Sequence, residues 1–184
     1  MISQIYNLNV RQNKKTKKTL GGNKIMKNEL FVLTTEHAFD AAHFLKGHNG
    51  ACANVHGHRW RVVLEISGEE LQKEGSSREM IIDFTDIKKE FRKLIDEFDH
   101  SFIVESYDYS VKKHTIKYDE VIIHNKEKGG IMTTSTRMVY IPFRPTAERF
   151  SKYIYEVMKE MDYPVHAVTV YETPTNSCRY CLKG

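Results

Sequence analysis

The sequence predicts an α+β fold in which an antiparallel sheet carries two helices on one face. Three patterns support this prediction: segments of β-branched and aromatic residues with period-two alternation, two segments with helical spacing of apolar residues, and connections short enough for hairpins. The 184 residues suffice for one domain with an appendage, and the content of 40% hydrophobic and 28% charged residues is typical of a globular protein.

The first 28 residues differ from the rest of the chain in charge. They carry seven basic residues and no acidic one, whereas residues 29–184 carry a net charge of −3. We expect residues 1–28 to be a disordered extension, or an over-extended start before Met26, and residues 29–184 to form a single domain. A nucleic-acid-binding role for the extension stays open but is less favoured, because no binding motif supports it.

Cysteine content and hydropathy predict the compartment. Three cysteines are an odd number, which argues against a disulfide framework and for a reducing environment. The N-terminus has no apolar segment typical of a signal peptide, and no stretch has the apolar length of a membrane helix. We therefore expect a cytoplasmic protein with no membrane partner.

Three strands are predicted before the first helix. Residues 30–39 are rich in β-branched and aromatic types, which indicates a strand. Residues 56–68 alternate, with Trp60, Val62, Leu64 and Ile66 on one face, and this predicts a half-buried antiparallel strand. After a polar connection, residues 80–82 are predicted to form a short third strand.

Two helices follow from apolar residues at 3.6 spacing. Asp83 is the predicted N-cap of a helix that ends near Phe98, and a second helix begins after Thr146 and ends near Met161. The inward-facing residues predicted for the two helices are Ile87, Phe91, Leu94, Ile95 and Phe98, then Phe150, Ile154, Val157, Met158 and Met161.

The remaining strands are predicted at residues 116–124, 137–143 and 165–172, with a turn at 126–130 and a tail from 173 onward. The predicted order is β-β-β-α-β-β-α-β. Helices on one face leave the other face and the edges of the sheet uncovered, so the pattern favours an oligomer.

Three histidines and a cysteine predict a metal site. His56 and His58 stand at i and i+2, so on a strand both imidazoles project from the same face. Together with His43 they offer three nitrogen ligands and an open position, which is typical of catalytic rather than structural zinc. Cys52 would complete the coordination or act as a base beside the metal, because a nearby cation favours the thiolate. His37 and His48 are less favoured candidates.

Three further motifs carry weaker signals. Asp99 and His100 form a pair suited to proton transfer, but, taken alone, the pair is better explained as the C-cap of a helix. Glu172 ends an apolar strand, where its carboxylate could accept two parallel N–H groups from a guanine-like or pterin-like edge, or could form a salt bridge. The two thiols of the C-x-x-C at 178–181 are interpreted as incidental.

Six motifs together resemble one known family. They are F-D-A-A-H at 39–43, C-A-N-V-H-G-H at 52–58, I-I-D-F-T-D-I-K at 81–88, D-H at 99–100, P-T-A-E at 145–148 and E-T-P-T at 172–175. In this order they are similar to those of the 6-pyruvoyl-tetrahydropterin synthase family. The spacing C-x-x-x-H-G-H resembles the branch that forms 6-carboxytetrahydropterin in queuosine biosynthesis. Branches that form the pyruvoyl product, or cleave the side chain of dihydroneopterin, remain alternatives.

The resemblance implies the tunnelling fold (T-fold), with a four-stranded antiparallel sheet and two helices in each subunit. Three subunits would close a barrel and two trimers would form a homo-hexamer with pterin sites at the interfaces. The implied substrate is a pterin triphosphate, 7,8-dihydroneopterin triphosphate, and the implied cofactor is Zn²⁺. The implied roles are zinc ligation by His43, His56 and His58, general base for Cys52, proton relay for Asp99 and His100, and pterin binding by Glu172 assisted by Thr173.

Overall fold

The computed structural model describes residues 29–183 except residues 109, 111 and 126–128, so the predicted basic extension lies outside the described residues. In chain order the elements are β1 (Phe31–His43), a 3₁₀ turn (Ala51–Ala53), β2 (His56–Gly68), α1 (Phe84–Asp96), β3 (Ser101–Glu105), β4 (Thr115–Asn125), β5 (Gly130–Ile141), α2 (Ala147–Glu160), β6 (Val165–Tyr171) and β7 (Ser177–Tyr180). No helix within this part of the chain combines the length and the apolar character needed to cross a membrane.

The strands form one mixed sheet. Its seven strands have the order β4-β5-β3-β1-β2-β6-β7. The pairs β1–β2, β2–β6, β6–β7 and β4–β5 are antiparallel, whereas β3 runs parallel to both β1 and β5. The prediction of an α+β fold is thus confirmed, and the prediction of a four-stranded, purely antiparallel sheet is wrong.

The long β1–β2 pair is the centre of the sheet and separates two chemically different faces. Phe39 lies opposite Trp60, and every second residue of β2 from Trp60 to Ile66 is buried against the helices. The opposite face carries ion pairs between the strands, including Asp40 with Arg59 at 2.9 Å. This polar-and-apolar alternation is the one predicted from the sequence, because successive side chains of a strand point to opposite faces.

Both helices pack on the same face of this pair. The ring of Phe39 contacts Phe98, just after α1, and Phe150 of α2, with ring centroids 5.6 and 6.1 Å apart. The predicted N-cap is present, since Asp83 accepts a hydrogen bond from the Thr85 amide at 2.7 Å. α2 begins after Thr146 as predicted, and Thr146 is its N-cap. The predicted inward-facing residues are buried except Met161, which is 43% exposed because α2 ends at Glu160.

The prediction of a strand at 80–82 is wrong. The backbone at the start of this segment hydrogen-bonds to the preceding loop. The Gln72 amide donates to the Met80 carbonyl at 2.9 Å, and the Glu79 amide donates to the Gln72 carbonyl at 2.8 Å. These local hydrogen bonds leave no ladder partner. The Ile81 side chain instead covers Gly68 at the end of β2, where an added Cβ would lie 2.9 Å from it.

Two short strands were not predicted. β3 pairs with β1 over only three residues, from Ala41–Ser101 to His43–Ile103, and β7 pairs with the end of β6 in the segment expected to be a tail. β4 and β5 form an antiparallel hairpin attached to the sheet through β3. The start of β4 is fastened to the helices by His114, which hydrogen-bonds through Nδ1 to the Tyr153 hydroxyl at 2.7 Å and through Nε2 to Glu97.

We expect Phe150→Ala to lower the free energy of unfolding by about 3–5 kcal/mol, the usual cost of removing a buried phenyl ring. Phe150 is fully buried and its ring contacts those of Phe39, Trp60, Phe98 and Phe143. Urea unfolding followed by circular dichroism, at one fixed protein concentration, measures this change.

Leu182→Ala is the matched control, because Leu182 is 63% exposed and its truncation should change stability by less than about 0.5 kcal/mol. Equal losses in the two variants would show that the aromatic cluster is not the main core.

Candidate metal and catalytic site

Three histidines meet at one end of the β1–β2 pair. The register places His43 opposite His56 and Ala41 opposite His58, so the three imidazoles project from the same face. Glu172, just after β6, joins them, and one ligand atom from each of the four residues lies within 4.8 Å of the others. The structure therefore brings together the three histidines predicted as zinc ligands, and this group could hold a metal ion.

Backbone carbonyls orient two of the imidazoles. Nδ1 of His43 lies 3.0 Å from the Pro145 carbonyl oxygen, and Nδ1 of His56 lies 2.8 Å from that of Asn54. A carbonyl oxygen only accepts, so Nδ1 carries the hydrogen in each ring and Nε2 keeps its lone pair. Both Nε2 atoms are buried and have no hydrogen-bond partner among the described residues. Orphaned acceptors that converge in this way fit a bound cation, and a carbonyl behind each ring is the usual support of a metal-ligating histidine.

Burial favours the neutral form of His43 and His58. It lowers the pKa of His43 to about 4, and the hydrogen bond to Pro145 only partly offsets this, while His56 and His58 lower it further. Burial also lowers the pKa of His58, against the opposing effect of the Glu172 carboxylate. Neutral imidazoles are the form that binds metal, so the rings of His43 and His58 are ready for metal binding near neutral pH.

Glu172 lies closer to the histidines than the sequence indicated. Its Oε1 is 3.4 Å from Nε2 of His43 and 3.7 Å from Nε2 of His58. A tight turn holds it there, with the Glu172 amide donating to the Asn176 carbonyl at 3.1 Å and the Asn176 amide donating to the Thr173 hydroxyl at 3.0 Å. The sequence signal was an acid at the end of a buried strand, which shows that a partner is needed but not which one.

Cys52 sits on the 3₁₀ turn that leads into β2, and its thiol is half-buried and free. The Leu45 amide donates to the Cys52 carbonyl at 2.7 Å, which closes the loop between β1 and β2. Cys52 is not part of the four-residue group within the described residues. His37 and His48 also lie outside that group, and His37 hydrogen-bonds instead to Asp96 at 2.7 Å.

Asp99 and His100 form a hydrogen-bonded pair between α1 and β3. Nδ1 of His100 lies 2.7 Å from Oδ2 of Asp99, whose Oδ1 accepts from the Asp40 amide at 2.8 Å. Burial of Asp99 opposes ionisation, but the hydrogen bonds from Asp40 and His100 hold its pKa below the usual value. The carboxylate therefore stays charged and fixes the orientation of the imidazole.

An open groove of about 530 Å³ lies beside the pair and reaches one of the three histidines. His58 and His100 both line it, together with Asp40, Arg59 and Thr136. His100 is 82% exposed at its side chain, so in the isolated chain this groove is shallow on the side of the pair.

Arg137 is a contributor that the sequence analysis missed. Its guanidinium, on β5, donates to the Asp99 carbonyl oxygen and thereby ties the hairpin to the Asp99–His100 pair. No motif in the sequence marks Arg137, since the contact depends on the parallel β3–β5 pairing.

The metal-free protein should lose stability as the pH falls from 6.5 toward 4. In this range the unfolded chain protonates His43, with an ordinary pKa of 6.5, whereas the folded chain does not until about pH 4. Folding therefore becomes less favourable by up to about 3 kcal/mol as the pH falls. Urea unfolding of chelator-treated protein at several pH values measures the slope. His43→Gln should flatten it, and an unchanged slope in that variant would contradict the assignment.

Comparison of the sequence with known proteins identifies one family. The family model described as "6-pyruvoyl tetrahydropterin synthase" matches residues 32–182. A Haemophilus influenzae protein named 6-carboxy-5,6,7,8-tetrahydropterin synthase is 34% identical over 157 residues, which cover 82% of this chain and 99% of that protein. A Synechocystis protein of the same name is 26% identical over 153 residues, covering 82% of this chain and 93% of that protein.

Solved structures share the fold. A 6-pyruvoyltetrahydropterin synthase of Plasmodium vivax, a catalytic residue mutant, aligns with a TM-score of 0.58 and 24% identity over 85% of this chain and 99% of that chain. An uncharacterized protein of Wolinella succinogenes aligns with a TM-score of 0.61 and 20% identity over 84% and 99%. On the strength of the family match and the Haemophilus relative, this chain belongs to the 6-pyruvoyl tetrahydropterin synthase family of enzymes.

Proposed function

We propose that this protein is a zinc-dependent 6-carboxy-5,6,7,8-tetrahydropterin synthase of queuosine biosynthesis. It converts 7,8-dihydroneopterin triphosphate and water to 6-carboxytetrahydropterin, acetaldehyde and triphosphate. The observation that carries the proposal is the convergence of two bare, buried imidazole nitrogens with His58 and Glu172, in a chain whose Haemophilus relative bears this name.

The donor set favours zinc. Three imidazoles are the usual protein ligands of a catalytic zinc ion, and harder ions such as Mg²⁺ prefer oxygen. The site is built from His43, which is fully buried beside the core, and from the half-buried His56 and His58. Zinc bound here supplies Lewis-acid polarisation of the oxygen atoms on the propyl side chain of the substrate.

Cys52 acts as the general base. Its thiolate takes a proton from the substrate carbon next to a side-chain hydroxyl, which starts the rearrangement of the propyl group. Its half-buried position on the loop between His43 and His56 supports this role, because the loop is fixed at both ends by strands that carry those histidines.

The Asp99–His100 pair moves the compensating proton. Asp99 keeps Nδ1 of His100 protonated, so Nε2 is the atom that accepts or donates a proton. Its place along the same groove as His58 supports this role.

Glu172 binds the pterin ring in the substrate complex, with Thr173 as an assisting hydrogen-bonding group. A carboxylate can accept two parallel N–H groups from the guanidine-like edge of the ring. Support comes from the turn after β6, which holds Glu172 at the mouth of the metal pocket with 28% of its side chain exposed.

The active enzyme is a cytoplasmic homo-hexamer, built as a dimer of trimers of the T-fold. β4 and β7 are the edge strands of the sheet, and their open hydrogen-bonding groups are suited to pairing with neighbouring subunits. The exposed groove around His100 supports this assembly, because a second subunit would give the substrate the enclosure that one chain lacks.

Incubation of the zinc-loaded protein with 7,8-dihydroneopterin triphosphate is expected to release acetaldehyde and 6-carboxytetrahydropterin, which mass spectrometry distinguishes from related pterins. 6-Pyruvoyltetrahydropterin as the sole product would instead place the protein with the synthases that give the family its name. Loss of the side chain to leave a hydroxymethylpterin would indicate a dihydroneopterin lyase. Either outcome would overturn the proposed branch.

Cys52→Ala should keep the metal but lose turnover by about 100-fold or more, the scale of removing a general base. His56→Ala should lose both metal and turnover, because a lone pair that points into the metal pocket is removed. Metal analysis of the dialysed proteins and the same product assay separate the two effects. Full activity of Cys52→Ala would show that another group is the base.

A further inference from the structure

The contact between Glu172 and His43 is unfavourable unless a cation lies between them. Nδ1 of His43 donates to the Pro145 carbonyl, so Nε2 of the neutral ring has only a lone pair to present to Glu172. Yet Oε1 of Glu172 lies 3.4 Å from this Nε2. Two acceptors that face each other repel, because the proton of the neutral ring is on Nδ1 and Nε2 has none to donate to the carboxylate.

The spacing of these atoms fits one shared ion. In a tetrahedral site with zinc–ligand bonds of about 2.0–2.1 Å, neighbouring ligand atoms are about 3.4 Å apart. Oε1 of Glu172 lies 3.4 Å from Nε2 of His43 and 3.7 Å from Nε2 of His58. The carboxylate is therefore close enough to His43 and His58 to share one ion with them, at the position that the sequence analysis expected to be open.

The charge of a divalent metal ion also favours Glu172 as a ligand. Three neutral imidazoles leave both positive charges of a divalent ion uncompensated in a partly buried pocket, which is costly. One carboxylate removes half of that charge. Among the described residues, Glu172 is the acidic member of the group that could hold the metal.

We propose that Glu172 is the fourth ligand of the metal in the substrate-free enzyme and that it leaves the metal for the pterin ring when substrate binds. The second half of this inference rests on the proposed function. Substrate oxygens take the coordination position that Glu172 vacates, and the released carboxylate accepts the N–H groups of the pterin edge. Metal coordination and recognition of the pterin ring are thereby coupled through the Glu172 side chain. A small molecule without a pterin edge would bind more weakly, because the released carboxylate would find no N–H groups to accept.

The first test measures metal binding without substrate. Glu172→Gln should weaken Zn²⁺ binding about 10- to 100-fold in competition with a chromophoric chelator, since the neutral amide is a poor zinc ligand. It should also change the visible spectrum of the Co²⁺-substituted protein. Glu36→Gln is the matched control, because Glu36 pairs with Arg61 on the opposite face of the sheet and should alter neither quantity. Unchanged Zn²⁺ affinity and an unchanged Co²⁺ spectrum in Glu172→Gln would overturn the inference.

A measurement on the unmodified protein covers the case in which Glu172→Gln does not fold. With the fourth position held by Glu172, the Co²⁺-substituted protein has no metal-bound water and should enhance the relaxation of solvent protons only weakly. Relaxation typical of a directly bound, exchanging water would contradict fourth-position ligation by Glu172.

The exchange step is tested in the Cys52→Ala protein loaded with Co²⁺, which should bind substrate without consuming it. Addition of 7,8-dihydroneopterin triphosphate should change the Co²⁺ spectrum, and the change should be smaller when Glu172→Gln is also present. Substrate binding with no spectral change would overturn the exchange. These readouts do not depend on turnover, so failure of the carboxy-forming assay would overturn the proposed function and leave ligation by Glu172 standing.

Discussion

The antiparallel register between β1 and β2 is the constraint on which the site depends. It sets His43 opposite His56 and Ala41 opposite His58, so that three imidazoles from two strands share one face. A slip of one residue would send the β2 histidines and the apolar row that follows them to the other face. The register is enforced along the strand, because Trp60, Val62, Leu64 and Ile66 must be buried for the core to form. Metal-binding geometry is therefore specified by the same interactions that specify the fold.

The core also supports the ligands directly. The indole ring of Trp60 meets His43 and His58 edge-on, with ring centroids 5.0 and 5.7 Å away, and it packs in turn on Phe39 and Phe150. The same burial that lowers the pKa of His43 removes room for alternative ring orientations. With the carbonyls of Pro145 and Asn54 fixing the tautomers, the pocket is organised before any ligand arrives, which is the condition for tight and selective metal binding.

The sequence was sufficient to predict the elements whose pattern is local or periodic. The alternation in β2, the apolar stripes of the two helices, the Asp83 cap of the first helix and the grouping of three histidines all follow from residue types and their spacing along the chain. β7 was missed because it has only four residues, although its partner β6 directly precedes it in the chain. β3 was missed because it is short and pairs with the distant β1 over three residues only. The strand expected at 80–82 failed for the opposite reason, because local loop hydrogen bonds used its backbone. The proximity of Glu172 to His43 likewise depends on β6 pairing with β2, a contact that no local pattern encodes.

The three histidines and the Asp99–His100 pair are held in place by different kinds of structure. The histidines lie at the ends of long strands, whereas His100 lies in a turn with a φ of 49°, a conformation that non-glycine residues adopt at some cost. Three contacts hold this turn: the Asp40 amide donates to the Asp99 carboxylate, the His100 amide donates to the Asp40 carbonyl, and Arg137 donates to the Asp99 carbonyl. Two of these bonds come from the backbone of β1, which also carries His43. Strand β1 thus supports both the strained turn and the metal pocket. Arg137, on the β4–β5 hairpin, supplies the third contact.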